Sequence, residues 1–287
     1  MTEIQKKTLI GCVCAVSCEI LFGLSYLFTK KITSDVDAVT LLGWRFLLAF
    51  IMMNVLLIAG YNRYKHKEKH LPSLLKIAVL QPIAYFTCET FGIQMTTASE
   101  SGSIIACIPI ASLVASILFL QKKPTRFQTS GICLTVVGVI VCVTAKGFES
   151  SFSGIGYIML CMAVLSYSLY CVSAEKAYKT TSIEKTYVMI ACGACFFATM
   201  AIARSIAAGT VVDLFMLPFQ NTVFLFSILY LGIASSVLSF VLFNISISSI
   251  GTNKASSFVG ISTAVSVLAG VFILDEKFQL CNVMERS

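Results

Sequence analysis

Charge is scarce in this sequence, and that scarcity is its most restrictive feature. Only 12% of its 287 residues are Asp, Glu, Lys or Arg, against about 25% in a soluble domain. Hydrophobic residues make up 57%, above the roughly 45–50% of soluble chains. Too little polar surface remains to cover a particle in water. Histidine is rarer still, with two residues, His66 and His70. Both fall in the basic loop Lys65–His70, outside the apolar runs, which excludes a membrane enzyme built on clustered histidines. The lysines there repel a cation, so the loop reads as one that faces anionic lipid rather than a metal site. A Gly-x-x-x-x-Gly-Lys-Ser/Thr phosphate loop is lacking, and no polar segment is long enough to hold an ATP-binding domain. We expect no enzyme activity, metal site or cofactor. Strands that alternate apolar and polar residues are also missing, which excludes a membrane β-barrel.

The apolar runs are what the chain has in abundance. A bilayer core requires about 20 consecutive apolar residues per helix. Runs of that kind lie near 8–29, 39–59, 74–95, 101–120, 129–145, 154–173, 187–206, 222–243 and 256–274. The expected fold is an all-α membrane protein, a polytopic bundle of about nine transmembrane helices. Lys6 and Lys7 precede a run too long for a signal-peptide core and without a small-x-small cleavage site, so it reads as a retained first span. Most of the twelve cysteines lie inside these runs, where cysteine acts as a small hydrophobe. Cys192 and Cys195 have a metal or redox spacing, but no second pair or nearby histidine accompanies them.

The net charge of +7 is spread over short loops, which is not a nucleic-acid footprint. Lys6, Lys7, Arg63, Lys122, Lys123, Lys176, Lys179 and Lys185 fall on the side of the N-terminus, with most of the other basic residues. Lys30, Lys31, Lys146, Lys277 and Arg286 fall on the other side. The positive-inside rule then puts the N-terminus inside the cell membrane.

The chain also repeats itself. Ser101–Leu120 followed by Gln121-Lys122-Lys123 resembles Ala255–Leu274 followed by Asp275-Glu276-Lys277, and Phe22–Lys31 resembles Tyr167–Lys176. An odd number of spans separates the copies, which inverts the second. Inverted repeats are a recurring construction of secondary transporters, with substrate bound at the repeat interface near the midplane.

Several short motifs carry a further likeness. Phe22-Gly23-Leu24-Ser25 resembles the Trp-Gly-x-Ser element of EamA-like members of the drug/metabolite transporter superfamily. Arg45 stands where that family has a second-span arginine. Thr96–Gly102 with Pro109 resembles its third-to-fourth span junction, and Asp275-Glu276-Lys277 resembles the Gly-Glu-Lys ending of its ninth span. The resemblance implies two five-helix repeats and export of amino acids, metabolites or toxic compounds. On this reading residues 1–147 form the first repeat and 148–287 the second. The ten residues after Lys277 span about 15 Å as a helix, short of a core of about 30 Å. The second repeat is therefore expected to be truncated, without a tenth span.

Charged residues inside the runs are the candidates for function. Glu19 lies near the centre of the first span, on one helical face with Ala15, Gly23 and Tyr26. A carboxylate at that depth costs about 2.5–3.5 kcal/mol on insertion scales and requires a partner. It is either a proton or substrate site or a hydrogen-bonded link between helices. Glu89 lies in the third span on a face with Pro82, Tyr85, Gly92 and Thr96. Arg45 and Glu89, counted from their helix ends, reach a similar depth, so the two are expected to pair. Tyr167 and Tyr170 in the sixth span, and Ser235, Ser236 and Ser239 in the eighth, are further candidates, though such side chains often only join helices. Pro109 is expected to kink the fourth span or open a carbonyl toward a cavity. Arg204 is expected to snorkel to the interface.

The expected activity is gradient-driven export of a small molecule, with Glu19 as a proton site. The alternative is a truncated, non-transporting paralogue or membrane subunit. The expected partners are a small-molecule substrate and the lipid bilayer, with a homodimer allowed and no nucleic acid.

Overall fold

The computed structural model describes residues 2–33, 36–59, 70–96, 101, 104–122, 125, 130 and 153–274. Every regular element among these is helical. In chain order they are α1 (Glu3–Thr33), α2 (Ala38–Ile58), α3 (Leu71–Ala78), α4 (Tyr85–Gln94), α5 (Ile108–Leu120) and α6 (Gly154–Lys176). Then come α7 (Ser182–Ala208), α8 (Val211–Gln220), α9 (Thr222–Leu229), α10 (Ser239–Ile250), α11 (Thr252–Ser257) and α12 (Val259–Leu274). Two π-helical stretches complete the set. The first, π1 (Val79–Ala84), joins α3 to α4, and the second, π2 (Tyr230–Leu238), joins α9 to α10.

Six continuous helices are long and apolar enough to cross a bilayer: Glu3–Thr29, Ala38–Ile58, Leu71–Gln94, Gly154–Lys176, Ser182–Ala208 and Thr222–Ile250. The expected fourth and ninth spans coincide with α5 and α12, whose described lengths are 13 and 16 residues. The expected fifth span, 129–145, lies outside the described residues apart from Ser130, and Asp275-Glu276-Lys277 and the tail that follows lie outside them too. The described residues thus establish six crossing-length helices against the nine expected.

Helix ends follow local chemistry. Asp37 caps α2 by accepting from the Val39 and Thr40 amides. Thr181 and Glu184 form a reciprocal capping box at the start of α7, and Gly209 ends that helix at φ 69°. Pro109 sits in the first turn of α5, where a missing N–H leaves no intrahelical bond unmade. A turn at Ala106 and Cys107, just before Pro109, interrupts the expected fourth span there.

Two further interruptions are π-helical. In π1, Gln81 leaves helical geometry (φ −141°, ψ 119°) just before Pro82. Ser166 of α6 donates to the Leu80 carbonyl at 2.8 Å, giving that oxygen a partner from outside the helix. In π2 no proline is present; Ser236 and Ser239 instead donate to carbonyls five residues back, Leu231 at 2.9 Å and Ala234 at 3.0 Å. These bonds follow the wider π turn.

Helices from the two ends of the sequence interleave. The α1 helix packs on α10 and α12, α2 on α7, and both α4 and α5 on α6. The two π stretches sit crosswise, π2 against α2 and π1 against α7. Close approach is possible because glycines lie at the crossings. A Cβ on Gly43 would come within 2.9 Å of the Ala201 Cβ, and one on Gly193 within 2.7 Å of the Pro82 ring. Phe46 is the hub of the core, with ring centroids of Phe197 at 5.3 Å, Phe86 at 5.5 Å and Phe240 at 6.4 Å.

One face of the bundle gathers Lys7 of α1, Lys122 after α5, Glu175 of α6, Thr181 before α7 and Ser249 of α10. The opposite face carries the Arg204–Asp37 ion pair at 2.8 Å. Arg204 thus holds the end of α7 to the start of α2. There too, Trp44 Nε1 donates to the Leu214 carbonyl of α8 at 3.1 Å.

Candidate functional site

Ala15, Cys18 and Glu19 of α1 are all buried, with Glu19 only 1% exposed. Its Oε1 has no hydrogen-bond partner among the described residues. Ser262 of α12 lies beside the carboxyl, but its own hydroxyl donates to the Val259 carbonyl at 2.7 Å. The hydroxyl can rotate between that carbonyl and the carboxyl, so it can donate to a charged Glu19 or accept from a protonated one. Tyr167 and Cys171 of α6 are the other polar neighbours whose interaction with Glu19 is electrostatic.

Glu89 is buried on α4, and its Oε1 accepts from Tyr85 at 2.7 Å. Tyr85 in turn packs on Tyr167, with centroids 5.4 Å apart, and Tyr167 on Tyr170 at 5.8 Å. The Tyr170 hydroxyl donates to Asn244 Oδ1 of α10 at 3.2 Å. Asn244 passes the contact on to Thr186 Oγ1 of α7 at 3.2 Å and to the Phe240 carbonyl at 2.9 Å. One polar thread therefore ties α4, α6, α10 and α7 through an otherwise apolar core.

Arg45 enters the same core from α2. Its Nε donates to Ser236 at 2.8 Å and its Nη2 to Ser235 at 3.0 Å, both in π2. The guanidinium also lies over the Phe86 ring, 4.7 Å from the centroid. Its charge acts on Glu89 electrostatically, but the hydrogen bonds found for the two side chains run to Ser235 and Ser236 and to Tyr85. Ser235, Ser236 and the Phe86 ring are thus partners of the arginine among the described residues.

Six of the seven candidate residues, Glu19, Arg45, Tyr85, Glu89, Tyr167 and Tyr170, are thus brought round one core. The side chain of Tyr26 lies outside the described residues, as does His66. Cys192 and Cys195 are free thiols. Sequence reasoning did not single out Asn244, Ser262 or Gln81. Gln81 is buried in π1 with Oε1 unpartnered among the described residues. A signal was available for Asn244, an amide set directly behind Phe243 in a long apolar run.

The comparison with known proteins settles the family. The EamA-like transporter family matches the chain twice, over residues 9–144 and 154–284. The chain belongs to that family. An uncharacterized transporter of Bacillus subtilis, YcxC, is 33% identical over 266 residues, covering 92% of this chain and 85% of that protein. An uncharacterized transporter of Archaeoglobus fulgidus is 22% identical over 263 residues, covering 91% and 89%. A solved structure titled "Crystal structure of protein" superposes with a TM-score of 0.69 at 14% identity, covering 93% of this chain and 88% of that one. That likeness concerns the fold alone. The protein is a multi-pass membrane protein of a transporter family.

Proposed function

We propose that this EamA-like protein is a secondary transporter that exports a small metabolite, amino acid or drug-like compound across the cytoplasmic membrane, coupled to protons through Glu19. The observation that carries the coupling is the Glu19 carboxyl itself. It is buried at the meeting of α1, α6 and α12, and one oxygen has no partner among the described residues. Its neighbour Ser262 can donate to the carboxylate or accept from the protonated acid. A buried carboxyl beside a hydroxyl that can bond either form is suited to exchange a proton.

The transport path runs past Tyr85, Tyr167 and Tyr170, with Arg45 and Glu89 at its side. The two halves, 1–147 and 148–287, act as inverted repeats that move against each other. The crosswise packing of π2 on α2 and of π1 on α7 supports that reading. The N-terminus lies inside, in keeping with the lysines gathered on its face of the bundle.

The test is flux in proteoliposomes with and without an imposed proton gradient, over a panel of amino acids, metabolites and cationic dyes. Export that speeds up when protons flow the opposite way supports the reading. Flux of the transported compound that ignores the gradient overturns the coupling.

A further inference from the structure

On the face that carries the N-terminus, a cleft of about 730 Å³ opens between the ends of α6 and α10, with Lys7, Tyr178, Thr180 and Ser249 among its walls. Its floor is polar. Glu175, at the end of α6, makes an ion pair with Lys122, which follows α5. The second Glu175 oxygen accepts the Thr252 amide, at the start of α11, at 2.7 Å. Gly251 turns the chain there at φ 81°, and a Cβ at that position would stand 3.2 Å from Lys122 Nζ and 3.3 Å from Glu175 Oε1. The pair is thus seated directly against the turn between α10 and α11.

Two further bonds draw neighbouring elements onto the same spot. Thr252 Oγ1 donates to the Cys171 carbonyl at 2.9 Å, one turn back along α6. Lys185, in the first turn of α7, is 1% exposed and donates to the Ala174 carbonyl at 2.6 Å. Its charge and that of Glu175 act on each other. The ends of α5 and α6, the start of α7 and the α10–α11 turn are all fastened through Glu175 or the two residues beside it. Directly beneath lie the wholly buried Cys171, which is within electrostatic reach of Glu19, and Tyr170.

We propose that Lys122, Glu175 and the Thr252 amide form a gate on the N-terminal face, closed in this structure, which separates the cleft from the buried core around Glu19. Lys122 belongs to the first family match and Glu175 and Thr252 to the second, so the gate joins the parts that must separate for that face to open. Charge-assisted bonds suit such a closure, because they are strong when made and both partners can return to water at the mouth of the cleft. The inference stands apart from proton coupling at Glu19, and its test reads access rather than flux.

Cys171 is the reporter. In a variant whose other cysteines are replaced, the rate at which a water-soluble maleimide labels Cys171 in membranes measures opening of this face. Labelling is expected to be slow with the gate intact and at least tenfold faster in Glu175→Gln and in Lys122→Met. The double variant is expected to be no faster than the faster single one, since both remove the same closure. Lys122 is half exposed, so Lys122→Met leaves the buried packing untouched and carries the test alone if Glu175→Gln fails to insert. Labelling of Lys122→Met at the unsubstituted rate overturns the gate. So does a double variant whose acceleration equals the product of the two single ones.

Discussion

Arg45 holds Ser236: Nε of the one donates to Oγ of the other at 2.8 Å, across 191 positions of sequence. With Nη2 on Ser235 at 3.0 Å, the guanidinium fork grips two successive hydroxyls of π2. A lysine keeps the charge but cannot present two fixed donors. Arg45→Lys is therefore expected to cost about 1.5–3 kcal/mol, the worth of one hydrogen bond to a charged group. The measurement is the denaturation midpoint of the purified protein in detergent. An unchanged midpoint would show that the fork does not stabilise π2.

Asn244 offers a sharper test of the polar thread, because it bonds Tyr170, Thr186 and the Phe240 carbonyl while wholly buried. Asn244→Leu strands the Tyr170 hydroxyl, at a cost of about 1–3 kcal/mol for a buried group left unpaired. Adding Tyr170→Phe removes the stranded hydroxyl and is expected to recover part of that loss. If the second substitution lowers the midpoint further, the thread is not the source of the stability.

Gly193 decides between two opposed effects. In an open helix, Gly→Ala stabilises by about 1 kcal/mol. Here the new Cβ meets the rigid Pro82 ring at 2.7 Å and Phe46 Cδ1 at 2.8 Å. Overpacking of a tight core costs about 1–3 kcal/mol, so Gly193→Ala is expected to destabilise. A rise in the midpoint would mean that α7 and π1 are not in close contact.

The spans were legible in the sequence because a bilayer imposes one requirement, apolar length, and composition reports it directly. Their interruptions were not. Gln81-Pro82 sits inside an apolar run without shortening it, and π2 holds neither proline nor charge. Serine hydroxyls at Ser236 and Ser239 bond five residues back along π2, which ordinary serines do not announce. Glu19 stood out because a carboxyl in an apolar run must be accounted for. The bonded partners of Arg45, Ser235 and Ser236, could not be read, because the rotation of each helix about its axis is set by packing. Lys185 illustrates the same limit, counted with the basic loops yet buried against Ala174.

The last prediction concerns Glu19 and separates coupling from helix packing. Glu19 is buried among Cys18, Tyr167 and Cys171, and the Ser262 hydroxyl can bond its charged or its neutral form. If export is driven by protons, Glu19 must lose that proton on one side of the membrane and regain it on the other. Glu19→Gln keeps the side-chain shape, supplies a permanent donor toward Ser262 and abolishes titration. The variant is therefore expected to insert normally, with a denaturation midpoint close to that of the native protein. Its flux of the exported compound in proteoliposomes should lose the acceleration that an opposing proton gradient gives the native protein. Exchange at equal pH on both sides should persist, because it needs no net proton movement. A Gln variant that responds to the gradient as the native chain does would leave Glu19 a packing residue and place the coupling elsewhere.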